Sequence, residues 1–456
     1  MDYSLVPFLA VLALSFIVGC FCSKRAKGND SKGSDYFLAS RQLGWFLLTM
    51  TFAATQIGGG FILGTADSAA QIGPYAILFP IGYCLGFLAL GLGFGAKLQS
   101  LQLNTASDVF ERYYDSSLLK KIAALLSVLS LTGILIAQAV GLKKFLFSVG
   151  WTDEWIFLAA WSIVILYTTQ GGFLAVVWTD AIQGLVMIGM LIGACLFTMY
   201  TAPDFSQTLT NMASIKWEAA EDKILGFLIM PFLFTFIEQD MLQRCFAAKS
   251  KRAVTIAGCL SACILFALAI IPVYFGMLAD ELGIKTAANS TFMEVVKVLT
   301  NPFVASIAAS AILLAIISTA SSLLSAVSSN ISQDFVVNKK LSITRMKAIT
   351  FGIGIVALIG SYTATNILSC MIASYELSVA CLFVPLVMGV FLQGRAKALL
   401  PAAILSVACG GAGFILVKAI SLGWLGDIMP LALSAAGYGV GAVFFTPIPE
   451  QALERE

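Results

Sequence analysis

Thirteen apolar stretches, most of them about the 20 residues needed to cross a lipid bilayer, follow one another along the 456-residue chain. Hydrophobic residues make up 59% of the sequence, charged residues 11%, and the mean hydropathy is +0.92. Soluble globular chains do not reach these values, so the sequence predicts an all-α polytopic membrane protein. The predicted spans lie at 3–22, 44–70, 75–97, 120–149, 154–169, 174–200, 223–246, 253–278, 302–331, 344–364, 366–392, 397–420 and 429–447.

The distribution of Lys and Arg predicts the orientation of these spans. Most of the 27 basic residues fall on one side of the membrane if the N-terminus is outside and the C-terminus cytoplasmic. Asp2 precedes the first span and basic residues follow it, the reverse of a signal peptide, so we expect that span to remain as a helix. Short loops and a short tail indicate a multi-pass protein of a bacterial inner membrane.

Several classes of function are excluded by residues that the sequence lacks. It contains no histidine, which removes histidine-based acid–base chemistry and Ser-His triads, and it has no GxxxxGK[ST] phosphate loop. No nucleophile–base pair or metal-ligand cluster stands out, so we do not expect an enzyme. The net charge of +2, without basic segments interleaved with aromatics, argues against a nucleic-acid partner.

Ten of the spans divide into two groups of five. The first span and the last two are set aside, and the hydrophilic loop 201–222 separates the groups. An odd number of spans in each group forces opposite orientations, an arrangement typical of transporters with inverted repeats. The predicted regions are 1–43 (N-terminal helix and first cytoplasmic loop), 44–200 (first repeat), 201–222 (extracellular connection), 223–392 (second repeat) and 393–456 (two C-terminal helices and tail).

The first span of each repeat contains residues that weaken a helix. Gly58, Gly59 and Gly60 stand in a row in the first, and Pro231 interrupts the second. Such breaks expose backbone carbonyls to an ion and helix ends to a solute. Close packing of small residues is the alternative interpretation of the glycines.

An ionisable residue inside an apolar span is a candidate functional site. Asp180 lies in the segment GGFLAVVWTDAIQ, and a hydroxyl-rich run that includes Ser318, Thr319, Ser321 and Ser322 lies in a later span. A carboxylate and several hydroxyls together suit a hard cation such as Na⁺. Alternatively, the hydroxyls bond to carbonyls of their own helix and Asp180 is a structural cap near the inner surface.

Four motifs occur in the order typical of one family. They are DYFLASR at 35–41, GGFLAVVWTDAIQ at 171–183, EQDMLQR at 238–244 and AIISTASS at 315–322. With them the chain resembles the sodium:solute symporters, and the resemblance covers nearly all of it. It implies a LeuT-type 5+5 inverted repeat with one extra N-terminal helix and two extra C-terminal helices. IGGGFILGTAD at 57–67 and PIGY at 80–83 are most similar to the choline-transporter-like branch.

The resemblance also implies the binding residues. One sodium ion is expected at Ala54, Ile57, Ala315, Ser318 and Thr319, and 315, 318, 319 and 322 share one helix face. A second is expected at Asp180, Ser318, Ser321 and Ser322. The candidate solute residues are Gln56, Gly59, Phe61, Tyr83 and Glu376. Gln56 and Glu238 stand where choline carriers have aromatic residues, which argues against choline itself.

The sequence therefore predicts a sodium-coupled symporter that imports a small polar organic solute by alternating access. The solute could be an amino acid, an amine, a sugar or a vitamin-like molecule, and the protein is expected to act in the bilayer as a monomer. Two alternatives stay open. Asp180 could bind a proton in place of sodium, or the chain could be a membrane sensor that keeps the fold without transport.

Overall fold

A computed structural model describes residues 37–201, 220–284, 289–335, 343–364, 366–420 and 424–444. The predicted first span, most of the loop 201–222 and the tail lie outside the described residues. The described chain is helical, and its one isolated β-bridge joins Leu43 to Ala248. The first helices are α1 (Trp45–Gln56), α2 (Thr65–Ile72), α3 (Leu78–Ala89), α4 (Gly95–Leu101), α5 (Asp108–Tyr114), α6 (Ser117–Ser148) and α7 (Glu154–Thr201).

The second half of the chain adds ten helices. They are α8 (Ile224–Phe234), α9 (Gln239–Ala247), α10 (Lys251–Glu281), α11 (Thr291–Leu299), α12 (Pro302–Asp334), α13 (Ile343–Gly360), α14 (Ile367–Ser378), α15 (Val384–Leu392), α16 (Leu400–Ala419) and α17 (Trp424–Phe444). Helix α7 contains a kink at Gly172, where φ is 64°. This kink divides the helix where the sequence predicts two separate spans.

Eight helical stretches among the described residues are long and apolar enough to cross a membrane. Two of them, Gly60–Leu101 and Ile367–Ala419, each cover more than one predicted span because short π- and 3₁₀-helical turns join their helices. Glu154–Leu166 is a shorter apolar helix. The structure therefore supports an all-helical membrane protein, whereas the count of thirteen spans stays a prediction.

Both predicted helix breaks have a counterpart in the structure. Helix α1 ends at Gln56, and helical structure resumes at Gly60 in a π-helical turn that leads into α2. Helix α8 ends at Phe234, and α9 begins at Gln239 after Glu238 adopts an extended conformation with φ −66° and ψ 117°. Pro231 lies inside α8, so the second break follows the proline by one helical turn.

The hydroxyl-rich helix α12 is the buried centre of the protein. Most of its residues are buried, and it packs against α6, α7 and α1. On the other side of α1, α10 packs so closely on the turn after α3 that a Cβ atom on Gly258 would lie 2.7 Å from the Gly91 nitrogen. Glycine is therefore required at this helix crossing, and the two broken helices are held inside a densely packed bundle.

Candidate ion and solute sites

Asp180 lies in the part of α7 that follows the Gly172 kink, and its side chain is fully buried. Its Oδ2 accepts hydrogen bonds from Thr51 Oγ1 at 2.7 Å and from Ser322 Oγ at 3.0 Å. Its Oδ1 has no hydrogen-bond partner among the described residues. The structure thus brings Asp180 together with a predicted partner, Ser322, and with Thr51 of α1, which the sequence did not single out.

The guanidinium of Arg244 lies beside Asp180 and contacts the same hydroxyl groups. Arg244 is 1% exposed, and its Nη2 lies 3.1 Å from Asp180 Oδ2. Nη2 also donates to Ser322 Oγ at 2.6 Å and to Thr55 Oγ1 at 2.7 Å, while Nε donates to Thr51 Oγ1 at 2.9 Å. A buried ion pair persists only when such additional hydrogen bonds offset desolvation. In this conformation Arg244 is the cation that neutralises Asp180.

A second group of oxygen atoms lies one helical turn away, where α12 crosses the end of α1. Ser318 Oγ lies 3.0 Å from the Ala54 carbonyl oxygen and 3.1 Å from that of Ala315. Thr319 Oγ1 donates to the Thr55 carbonyl at 2.8 Å. Ile57, the fifth residue of the predicted first sodium site, is fully buried in the break between α1 and α2. Hydroxyls and backbone carbonyls therefore converge at this break without a formal charge.

Ser321 faces a different partner. Its hydroxyl donates to the Ser318 carbonyl of its own helix at 3.0 Å, so only Ser322 of the predicted second set bonds directly to Asp180. Asp180 Oδ1, which has no partner among the described residues, leaves one acceptor for an ion on this side. In this conformation Arg244 therefore contacts two residues of the predicted second sodium site, Asp180 and Ser322.

A residue that the sequence did not indicate, Gln138, forms a hydrogen bond with the backbone of the first break. Gln138 of α6 is fully buried, and its Oε1 accepts a hydrogen bond from the Gly59 nitrogen at 2.8 Å. Its Nε2 lacks a hydrogen-bond partner among the described residues. An amide with one satisfied and one free group beside a broken helix is suited to bind a solute. Phe61 follows in the same break and is 1% exposed.

Polar and aromatic side chains connect the two breaks. Gln56 Nε2 donates to Glu238 Oε2 at 3.1 Å, which links the end of α1 to the start of α9. The hydroxyl groups of Tyr83 and Tyr375 hydrogen-bond to each other, and the Phe234 ring stacks on Tyr375 with centroids 4.5 Å apart. Gln56 therefore contacts the second break through Glu238, and Tyr83 is linked to Phe234 at the end of α8 through Tyr375.

Glu376 lies in a separate cavity on the side where α14 begins and α16 ends. Its Oε2 pairs with Lys418 Nζ at 2.6 Å, and its carboxyl group interacts with that of Asp427. The cavity has a volume of about 230 Å³ and is also lined by Ser68, Gln71 and Ser369. The structure does not bring Glu376 to Gln56 or Tyr83. It places Glu376 with two residues of the C-terminal helices.

Comparison with protein families identifies the class of protein to which the chain belongs. The model of the sodium:solute symporter family matches residues 36–398, which include both breaks and all the proposed ligands. The chain belongs to the sodium:solute symporter family. This symporter is therefore a sodium-coupled membrane transporter and not an enzyme, in agreement with the prediction from its sequence motifs.

Relatives of the symporter carry different solutes. It is 33% identical over 376 residues to the sodium/proline symporter of Haemophilus influenzae, covering 73% of this chain and 71% of that protein. It is 27% identical to the sodium/pantothenate symporter of Escherichia coli, over 98% of this chain and 97% of that protein. Both relatives are named for sodium and a small organic solute.

The fold of the symporter agrees with solved transporter structures. A Na⁺-coupled sialic acid symporter in a substrate-bound, outward-open state matches 97% of this chain and 98% of its own with a TM-score of 0.75 at 20% identity. The structure of Mhp1, a nucleobase-cation-symport-1 family transporter, matches 91% of this chain and 96% of its own with a TM-score of 0.58 at 14% identity. These likenesses concern the fold alone, and both proteins are LeuT-fold transporters.

Proposed function

We propose that the protein imports a small polar organic solute together with sodium by alternating access. One observation carries this proposal: the hydroxyls of Ser318 and Thr319 face the carbonyls of Ala54 and Thr55 across the helix break. Sodium prefers oxygen ligands, and here neutral oxygens from two helices converge in a buried place. An ion bound there would join α1 to α12 and favour one arrangement of the two helices.

The first ion would be held by the carbonyls of Ala54, Ile57 and Ala315 and by the hydroxyls of Ser318 and Thr319. In the present conformation these hydroxyls donate to the carbonyls. Binding would require each hydroxyl to turn its hydrogen away and present a lone pair, a rotation that needs little displacement of the backbone. The geometry therefore suits exchange between a closed, hydrogen-bonded site and an ion-bound one.

The second ion would use Asp180, Ser318, Ser321 and Ser322. Arg244 occupies the Oδ2 side of Asp180, so a sodium ion and the guanidinium would compete for the same carboxylate. Competition of this kind couples ion binding to movement of α9, which carries Arg244. Release of the ion would allow Arg244 to return to Asp180.

The solute would bind between the two breaks, at Gln56, Gly59, Phe61 and Tyr83. Gln138 is added to this group. Its Oε1 accepts from the Gly59 nitrogen, and its Nε2, which has no partner among the described residues, remains available to a solute. Glu376 is proposed to act earlier on the path, in the cavity that it shares with Lys418. Proline and pantothenate are the first solutes to test, because they are the solutes named for the relatives with the broadest matches. Choline is a third, because a high-affinity choline transporter of Caenorhabditis elegans matches 39% of this chain, and we expect it to be the weakest of the three.

The energy available would be sufficient for accumulation. Two sodium ions that move down a membrane potential of 100 mV release roughly 2 × 2.3 kcal/mol. At about 1.4 kcal/mol per tenfold concentration ratio, this supports a solute gradient of more than a thousandfold. The inverted repeats 44–200 and 223–392, the outward N-terminus and the monomeric state belong to the same proposal.

The test begins with thermal unfolding of the purified protein in NaCl and in equimolar KCl, because this needs no knowledge of the solute. Ligand binding to the folded state predicts stabilisation that grows with sodium concentration. Ser318→Ala and Asp180→Asn should weaken that stabilisation. Ser310→Ala is the matched control, because Ser310 lies on the same helix and donates to the Ser306 carbonyl of its own helix at 2.8 Å.

Uptake into proteoliposomes then distinguishes the three functions. Sodium-driven accumulation of one of the three solutes, lost in Ser318→Ala and retained in Ser310→Ala, is the expected result. Equal melting in both salts, with uptake that depends on a pH gradient alone, would favour proton coupling at Asp180. A sodium-dependent melting shift without uptake of any solute in a broad screen would favour the sensor.

A further inference from the structure

The buried charges near the second helix break do not balance. Asp180, Glu238 and Asp240 are each 5% exposed or less. Arg244 is the one Lys or Arg side chain that is buried within the described part of the chain. An unpaired carboxylate in a membrane interior costs several kcal/mol, so it is normally paired, protonated or bound to a cation. Two of the three acids need such a partner.

Arg244 forms its ion pair with one of these three acids, Asp180. Its Nη2 pairs with Asp180 Oδ2 at 3.1 Å, whereas its Nη1 donates to the backbone oxygen of Asp240 at 2.8 Å and not to the Asp240 carboxylate. Neither carboxylate oxygen of Asp240 has a hydrogen-bond partner among the described residues. Asp240 is thus a fully buried acid without a side-chain donor from the described chain, and the groups nearest to donating to it are backbone N–H groups at the start of α9.

The backbone at the break brings Glu238 and Asp240 together. Residues two apart on a regular helix face different directions, but Glu238 precedes α9 in an extended conformation. The carboxyl groups of Glu238 and Asp240 are consequently neighbours that interact in one buried place, where a shared proton would join them by a hydrogen bond. Two carboxyl groups can form that bond only when one of them carries a proton.

We propose that Glu238 and Asp240 form a proton-binding carboxyl pair, which holds one proton between the two side chains while the break is closed. A proton needs only the second carboxylate as its other partner. Sodium would need several further oxygen ligands, of the kind that the hydroxyls and carbonyls around Ser318 supply. The pair is separate from the proposed sodium sites, and this inference stands whether or not the sodium assignments are correct.

The surroundings of the pair favour a single negative charge. Gln56 of α1 donates to Glu238 Oε2 at 3.1 Å and is uncharged. The titratable groups that face the pair from α3 and α14 are the phenols of Tyr83 and Tyr375. At the far end of α9, Arg41 donates to the Phe246 carbonyl, and Asp334 of α12 accepts from Thr105 and Ser107. Among the described residues, the cation that interacts with both members of the pair is Arg244.

The sign of the pH effect follows from proton counting. If the folded protein keeps a proton that the unfolded chain has lost, stability falls as pH rises. The melting temperature of the wild type should therefore decrease between pH 6 and pH 9, on the order of 1 to 3 °C per pH unit. Asp240→Asn imitates the protonated acid, because its amide can donate to Glu238, so its melting temperature should show a clearly smaller slope. Asp67→Asn, a half-buried carboxyl outside the pair, is the matched control.

Infrared spectroscopy gives a second measurement, which detects the proton directly in the folded wild type. The wild type at pH 7 should show the carbonyl band of a protonated carboxylic acid, and Asp240→Asn and Glu238→Gln should each remove it. Equal slopes in wild type and Asp240→Asn, or no acid band in the wild type, would overturn the proposal. So would loss of the sodium-induced melting shift in Asp240→Asn with the pH slope retained, which would identify Asp240 as a sodium ligand.

Discussion

The two helix breaks hold different chemistry. At the first, between Gln56 and Gly60, the groups that surround the backbone are uncharged: the Gln138 amide and the hydroxyls of Ser318 and Thr319. The second break leads directly into charged residues, with Glu238 at its end and Arg244 two turns further on. Neutral oxygens can distinguish one metal ion from another by their number and spacing. Charged groups instead respond to whether a cation is present at all, so under the proposed function selectivity would belong to the first break and charge compensation to the second.

Removal of the charge at the second break should have the largest effect. Arg244→Met leaves the buried Asp180 carboxylate unpaired, and we expect a loss of about 3 to 5 kcal/mol in stability. The matched control is the double variant Arg244→Met with Asp180→Asn, which removes both charges and should recover much of the loss. Thermal unfolding in detergent measures both. Equal stability of Arg244→Met and the wild type would show that the ion pair does not hold the second break.

A methyl group at the first break should act on the ion without a change of charge. A Cβ atom on Gly58 would lie 2.5 Å from Thr319 Oγ1 and 3.0 Å from Gln138 Oε1. We expect Gly58→Ala to lose about 1 to 3 kcal/mol in stability by overpacking, and to lose most of its sodium-induced melting shift. Gly189→Ala is the control, since nothing lies within 4 Å of its Cβ position. A full sodium shift in Gly58→Ala would contradict the role of this break.

The tyrosine pair tests whether solute binding belongs to the second break. Tyr83→Phe or Tyr375→Phe leaves the other hydroxyl without its partner, which costs about 1 to 3 kcal/mol when a polar group is buried. The double variant removes both hydroxyls and should be close to the wild type in stability. In uptake assays, each single change should raise KM more than it lowers the maximal rate. An unchanged KM in both would remove Tyr83 from the solute site.

The smallest effect is expected outside both breaks. Lys418 is half-exposed, so Lys418→Met should alter stability by less than about 1 kcal/mol. Because it leaves the Glu376 carboxylate without its lysine, uptake should change in its dependence on salt concentration at constant sodium. Lys397→Met is the comparison, since this lysine pairs with Asp115 on an exposed surface away from the cavity. Identical salt profiles for the two variants would show that the cavity has no part in uptake.

The sequence singled out Asp180 and Ser322, which the structure brings into contact, but it did not predict that Thr51 and Arg244 surround them. Asp180 and Ser322 stood out because a carboxylate and a run of hydroxyls are rare inside apolar spans. Thr51 and Thr55 carried a weaker signal, since residues four apart share a helix face but threonine there usually bonds to its own helix. That Arg244 reaches Asp180 depends on how α9 leaves the second break, which no local pattern of residues encodes.

Two positions show where helix geometry limits such predictions. Pro231 indicated a break, yet α8 continues for three residues because a proline removes only the bond to the preceding turn. Glu376 was grouped with Tyr83 as a solute residue, but it is Tyr375 that meets Tyr83. Neighbours on a helix point about 100° apart, so a shift of one residue separates the cavity that holds Lys418 from the centre of the protein.

The contact between Glu376 and Lys418 joins α14 to α16, one of the two C-terminal helices. Any motion that moves α14 away from α16 must separate a nearly buried carboxylate from its ammonium partner. Dissolved salt screens the half-exposed lysine, so the strength of this contact between α14 and α16 depends on the ionic strength of the medium. A property of the surrounding solution, unrelated to the ion that drives transport, would thereby adjust how fast this cavity exchanges its contents.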